Sequence, residues 1–341
     1  MAFEKTSIKR SAYAVLLLLT LCTISPLAAE VPEAGRDDDT IEISLLGTGT
    51  PPVSTTQYGA STLIEAGDQA IIFDCGRGCG IRLMAARPDL YNKVDKIFLT
   101  HMHSDHLVGV ADIYMNGWLL GRNAPLQIFG PRGTRKFIKG LRDAFAPDIY
   151  TRHELEGLPA TADGVDYHAV EIETDGIVYQ KNGLTVTAFT VDHAEAKPAY
   201  GYRVDYKGRS VMLSGDTRMT PNLTRYGKGV DVIIQEVIPP FLIGILNRIY
   251  SPEQAQKIVD HHTLASETGQ LFARTNPRLA VYSHYKSTPV SDVELLAEAA
   301  RYWPGPVIAG QDLMSIKVSK HAIILCSADQ ECRTIPQDER P

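Results

Sequence analysis

Cysteine and tryptophan are scarce in this chain of 341 residues, with five and two copies. The thiols stand at Cys22, Cys75, Cys79, Cys326 and Cys332. So few, so spaced, they exclude a disulfide-dense miniature scaffold and lack the paired spacing of a cysteine zinc knuckle. No apolar run reaches the roughly 20 residues that a membrane-crossing helix requires, so no such helix is expected. Clustered Lys and Arg are missing too. With 34 basic against 40 acidic residues the formal charge is −6. A surface of that sign repels a phosphate backbone unless positive charge is gathered in one groove, which counts against nucleic acid as a partner. There is no internal repeat, and 44% hydrophobic with 22% charged residues is ordinary globular composition, unlike a disordered chain or a coiled coil.

The first thirty residues differ from the rest. Lys5, Lys9 and Arg10 precede an apolar run from Ala12 to Cys22, and small residues follow at Ala28-Ala29, the layout of a secretory signal. Removing residues 1–29 takes away those three basic groups and one acidic group, Glu4, so the charge falls from −6 to −8. The expected product is a soluble periplasmic or secreted protein beginning near Glu30. Leu21 directly before Cys22 fits a lipoprotein box poorly, and Cys22 is read as part of the apolar run. Cys326 and Cys332 enclose a short loop suited to a disulfide in an oxidising compartment. Cys75 and Cys79 flank Gly76-Arg77-Gly78, where a bridge and two free thiols are both compatible with the spacing. The domain plan is a signal at 1–29, one domain at 30–320 and a tail at 321–341.

Hydrophobic periodicity gives strands at Ile41 to Leu46, Ser61 to Glu65, Gln69 to Phe73, Lys96 to Leu99 and Pro125 to Phe129. A helix is expected from Gly133 to Phe145 and a polar surface loop from Asp148 to Asp166. Short strands return between Val170 and Tyr206, then at Ser210 to Ser214 and Val230 to Ile234. Strands with intervening helices predict an α/β architecture, two sheets packed face to face with helices outside.

One cluster dominates the chemistry. His101-Met102-His103-Ser104-Asp105-His106 follows the apolar strand at Lys96, and it holds three of the chain's ten histidines. A loop at a strand end can aim several imidazoles at one point, and imidazole with carboxylate is the donor set that Zn²⁺ accepts. Two adjacent pairs can serve two ions.

Thr100 to His106 resembles the metal-binding signature of the metallo-β-lactamase superfamily. Leu45-Leu46-Gly47-Thr48-Gly49-Thr50-Pro51 and Phe73-Asp74-Cys75-Gly76 resemble the ribonuclease Z and arylsulfatase branch, and the likeness spans roughly residues 41–310. The resemblance implies the four-layered αββα fold of that superfamily with two mixed sheets. It also implies His193, before Tyr200-Gly201-Tyr202-Arg203, as third ligand to one ion with His101 and His103. Asp105, His106 and His284 would hold the other, with Asp216 of Ser214-Gly215-Asp216-Thr217 shared. Two divalent ions, Zn²⁺ first and Mn²⁺ or Fe as alternatives, would ionise a bridging water as nucleophile. Asp105, His262 and Glu236 are the implied catalytic set, His262 moving a proton to the leaving group and Glu236 orienting it. His261 competes with His262 by adjacency. His153, His168 and His321 lie outside every motif and are read as ordinary surface or packing residues.

The apolar segment Val237 to Leu246 carries Pro239 and Pro240, which are expected to interrupt helix formation. It is read either as a lid over the site or as packing against the core or a partner copy in a homodimer. Trp118 and residues 119–123 are expected to add to the same pocket. The resemblance implies a small-molecule ester as substrate, an aryl sulfate or phosphodiester. A lactone or carboxylic ester, RNA as in ribonuclease Z, and a non-catalytic metal-containing binding protein stand as alternatives. Against RNA stand the export layout, the acidic balance and the absence of a basic, glycine-rich arm.

Overall fold

The computed structural model describes residues 39–158, 162–286 and 288–336. The expected export segment at 1–29 lies outside the described residues. In chain order come β1 (Ile41–Gly47), β2 (Ser61–Ala66), β3 (Gln69–Phe73), α1 (Cys79–Ala86), β4 (Lys96–Phe98), α2 (Val110–Leu119), β5 (Leu126–Gly130), α3 (Thr134–Tyr150) and β6 (Tyr167–Glu171). Next are β7 (Gly176–Lys181), β8 (Leu184–Val191), β9 (Ala199–Tyr206), β10 (Arg209–Leu213), α4 (Pro221–Gly227) and β11 (Val232–Glu236). The remainder is α5 (Pro240–Ile249), α6 (Pro252–Asp260), α7 (Ala265–Thr275), β12 (Leu279–Ser283), α8 (Pro289–Ala300), β13 (Val307–Ala309), β14 (Ser315–Val318), β15 (Ala322–Cys326) and β16 (Cys332–Pro336).

Two mixed sheets result. One runs β16-β15-β14-β1-β2-β3-β4-β5-β6 and the other β13-β12-β11-β10-β9-β8-β7. In the first, β3 to β6 pair in parallel, and in the second β10 to β13 do. Side chains alternate across these strands, and both faces are covered, so the strands read as continuous apolar runs. Phe73, Phe98, Val232 and Val281 enter the core between the sheets. Their neighbours Ile72 and Ile97 pack under α1, α2 and α3, while Ile233 and Ala280 pack under α4, α7 and α8. This is the expected layering of two inner sheets and outer helices. The α5–α6 hairpin stands apart on a small apolar cluster of its own, built from Ile238, Leu246, Ala255 and Val259.

Several local expectations change. The stretch from Asp148 is helical before it loosens, because α3 runs to Tyr150 and continues as a wider turn at Thr151–Leu155. Phe145 and Ile149 hold that extension against the first sheet's helical layer, and Arg152 pairs with Asp148 one turn back at 2.9 Å. Pro239 and Pro240 start a helix: Pro240 occupies the first turn of α5, where its missing N–H has no intrahelical acceptor to lose. Trp118 is fully buried beneath α2 and takes no part in the pocket. Arg122 is buried as well, its guanidinium donating to the carbonyls of Ile113, Tyr114 and Gly164. Within the tail, β15 and β16 continue the first sheet from β14, and Cys326 and Cys332 are joined by a disulfide across that hairpin. Cys75 and Cys79 are free, buried thiols.

Candidate metal centre

The site forms where the carboxyl ends of both sheets meet. After β4 the chain turns through Thr100 to His106, and the second sheet grips the base of that loop. Tyr200 N donates to the Thr100 carbonyl at 2.9 Å, and the Tyr202 hydroxyl donates to the Leu99 carbonyl at 2.6 Å. On the other side lies Gly76, where a Cβ would stand 2.3 Å from the Asp105 carbonyl oxygen, so only glycine lets the two loops approach. Asp216 arrives on the turn after β10, where Gly215 has φ +60 and no room for a side chain against Tyr200 and Thr100. His193 follows β8, and His284 follows β12 with its backbone in the left-handed region at φ 50.

All seven residues expected to bind metal come together. Ligand atoms of His101, His103 and His193 lie within 4.8 Å of one another, and so do those of Asp105, His106 and His284. Asp216 sits between the groups. Its Oδ2 is 3.9 Å from His101 Nε2, 3.4 Å from His106 Nε2 and 3.9 Å from His193 Nε2, while Oδ1 is 3.3 Å from His284 Nδ1. His284 Nε2 is 3.1 Å from Asp105 Oδ2. Apart from the exposed His103, every member is buried.

Three of the imidazoles are fixed through Nδ1, which leaves Nε2 facing the centre. His106 Nδ1 donates to Asp74 Oδ2 at 2.7 Å, His101 Nδ1 to Thr100 Oγ1 at 3.0 Å and His193 Nδ1 to the His261 carbonyl at 2.8 Å. Asp74 also accepts from Thr100 N and Oγ1, both at 2.8 Å. This carboxylate and hydroxyl backing sets the tautomers that a metal ligand needs. Buried His101 Nε2, His106 Nε2 and His284 Nδ1 then have no hydrogen-bond partner. Buried polar nitrogens are rarely left so, and their convergence beside two carboxylates fits cation binding.

The charge states of His101, His193 and Asp216 suit ligation, while that of His106 in the metal-free protein does not. Burial holds the His101 imidazole well below its ordinary pKa and pushes His193 down to about 4, so both are neutral donors. Burial opposes ionisation of Asp216, but the surrounding imidazoles, His284 and His106 foremost, hold it well below the usual carboxylate range. For His106, burial is outweighed by Asp216 and Asp74, and its pKa lies well above the ordinary value.

Beside this group Glu236 is buried at the end of β11. Its Oε1 accepts from Thr217 N at 3.1 Å and Thr263 N at 2.9 Å, and its Oε2 lies 3.1 Å from His262 Nδ1. Burial disfavours charge on His262, yet Glu236 overcomes it and raises the pKa to about 9. His262 is therefore the imidazole paired with Glu236; His261 contributes its carbonyl to His193. The remaining histidines lie elsewhere, His168 and His321 exposed and His153 half-buried. Asp74 and Thr100 are the residues that sequence reading left without a role. Both stand in stretches that carry the family resemblance, Phe73-Asp74-Cys75-Gly76 and Thr100 to His106, and follow two neighbouring parallel strands.

Residues 69–285 match the family described as "Beta-lactamase superfamily domain". The chain is 31% identical over 283 residues to a protein named ribonuclease Z from Mycobacterium sp. (strain KMS), covering 82% of this chain and 96% of the relative. Among solved structures it is similar to the metallo-beta-lactamase fold protein YhfI of Bacillus subtilis, at a TM-score of 0.61 and 16% identity over 82% of this chain and 100% of the other. It is likewise similar to Zn(2+)-bound PqqB of Methylobacterium extorquens, at a TM-score of 0.57 and 15% identity over 80% and 99%.

Proposed function

The chain belongs to the β-lactamase superfamily and is a metal-dependent hydrolase of ester bonds, and on that premise we propose that it cleaves a small phosphodiester, with an aryl sulfate as the next substrate class, at a centre of two divalent ions. The observation that carries this reading is the convergence of seven side chains around three buried, unpartnered imidazole nitrogens. His101, His103 and His193 would hold one ion, Asp105, His106 and His284 the other, and Asp216 would reach both. Nitrogen and oxygen donors suit Zn²⁺, and a neighbour of the same fold is named as zinc-bound. When bound, such ions acidify water near neutral pH and stabilise negative charge on a transferring phosphoryl or sulfuryl group.

The protein's own groups supply the rest. Asp74 holds His106, and the backbone of His261 holds His193, so donor directions are set before substrate arrives. Glu236 is a positioning residue: its two backbone donors fix the carboxylate, which fixes His262. The His262 imidazolium is placed to give a proton to the departing oxygen. Export is supported by the layout of residues 1–29 and by the Cys326–Cys332 disulfide, a bond that persists in oxidising compartments.

RNA is the second reading, favoured by the relatives named ribonuclease Z at 31% identity, and it weighs against setting nucleic acid aside on charge alone. A metal assay run with bis-p-nitrophenyl phosphate, p-nitrophenyl sulfate, a lactone panel and a precursor-tRNA transcript tests these readings. Turnover of the diester with two metals per chain is the expected result. Cleavage of the transcript alone overturns the small-ester reading, and two bound metals without turnover of any substrate favours a binding protein.

A further inference from the structure

Between Glu236 and His262 the chain makes a helical excursion, closed at its base. Ile238 N donates to the Thr263 carbonyl at 2.9 Å, and Glu236 meets His262 at 3.1 Å. The hairpin α5–α6 formed by that excursion leans over the metal-binding group and walls a chamber of about 540 Å³ that opens directly onto His103, Asp105, His193 and Asp216. Leu242 and Leu246 lie one turn apart on α5, Tyr250 continues the row, and Val237, Ile238 and Ile258 complete the wall. Spacing of four residues puts such side chains on one face of a helix. Across the chamber stand Pro51 and Pro52.

The volume lies within the roughly 300–1,000 Å³ of small-molecule sites. Its wall offers almost nothing to a polyanion: among the described lining residues Lys286 is the single lysine or arginine, whereas binding along a phosphate backbone draws on many cations. An apolar surface next to a charged centre is matched by a ligand that has both characters.

We infer that the α5–α6 wall is the specificity element, and that it selects esters carrying a bulky alkyl or aryl group, which seats against Leu242, Leu246 and Tyr250 while the ester head reaches the metal centre. The inference rests on the proposed small-ester hydrolase. It sharpens the substrate from any small diester to an amphiphilic one.

Calorimetric titration of the zinc-loaded protein with methyl-, butyl-, hexyl- and phenylphosphonate tests it, alongside turnover of bis-p-nitrophenyl phosphate. Each buried methylene is expected to tighten binding about threefold to fourfold, which places hexylphosphonate on the order of a hundredfold or more below methylphosphonate in Kd. In Leu242→Asn and in Tyr250→Ser that gain shrinks to less than about tenfold. Tyr250 is 43% exposed, so its replacement spares the fold even where Leu242→Asn does not. A flat series in the wild-type protein overturns the inference while turnover of the diester keeps the hydrolase reading. A steep series undiminished in both variants removes this wall from the assignment. A steep series without turnover of any diester overturns the hydrolytic substrate and leaves the ligand class of the chamber in place.

Discussion

Asp74 Oδ2 and His106 Nδ1 are joined by a 2.7 Å hydrogen bond wholly inside the protein, linking the end of one parallel strand to the histidine loop after the next. The same carboxylate binds Thr100, whose hydroxyl in turn receives His101 Nδ1. One acidic residue thus orients two imidazoles, directly and at one remove. Replacing Asp74 by Asn keeps the shape and removes the charge. Metal affinity is expected to fall by about 10-fold to 100-fold, as for other groups that back a ligating histidine. Competition against a chromophoric chelator measures it, and an unchanged affinity would remove Asp74 from the site.

Asp216 stands between the two candidate ligand sets, within 3.9 Å of His101, His106, His193 and His284. In Asp216→Asn the metal content is expected to drop below two per chain by elemental analysis. Hydrolysis of bis-p-nitrophenyl phosphate is expected to fall by more than the roughly 100-fold seen for outer partners of metal ligands. Chelator treatment of the wild-type protein should produce the same loss, reversed by added Zn²⁺. Full activity after exhaustive chelation would contradict a metal-dependent reaction.

The Glu236–His262 pair predicts a pH dependence of stability in the metal-free protein. His262 titrates at about 9 when folded against an ordinary 6.5. A raised pKa means that the folded state binds the proton more tightly, so the pair's contribution is fully present below about 6.5 and is lost as pH rises through about 9. In Glu236→Gln the imidazole resonances should titrate well below 9, and the fall in stability over that window should flatten. An unshifted titration by NMR would show that another group charges His262.

Gly76 carries the close approach of two loops. A methyl group there would stand 2.3 Å from the Asp105 carbonyl oxygen, a backbone atom that cannot swing aside. Gly76→Ala is expected to cost about 1–3 kcal/mol of stability, the usual penalty for overpacking. It should also weaken binding at the Asp105, His106 and His284 set. Urea unfolding and metal titration report the two effects separately, and wild-type values for both would place the strain elsewhere.

Much of this was legible in the residues. The strands from Ile41 to Phe73 appear where the sequence put them, β1 by its alternation and β2 and β3 as short apolar runs of strand length, buried on both faces. The density of histidine and aspartate at 101–106 likewise announced a cation site before any geometry. Polar patterning misled at Asp148 to Tyr150, where a few apolar contacts and an ion pair sufficed to extend a helix. Pro239-Pro240 misled in the opposite sense, since proline breaks a helix only in its interior and serves well at its first turn. Trp118 was drawn to the pocket by proximity in sequence to the metal loop, but α2 turns it into the core beside the first sheet, where it is fully buried.

The sequence by itself determined which residue types were available for metal and proton chemistry, and local order along the chain determined the strands that end in them. Only the tertiary structure decided that Asp74 backs His106, that His262 rather than His261 meets Glu236, and that α5 lays an apolar row beside the centre. Each of these is a contact between segments tens of residues apart. Such contacts depend on how two sheets stack and on which way a loop turns as it leaves them, and no local pattern of residues encodes that.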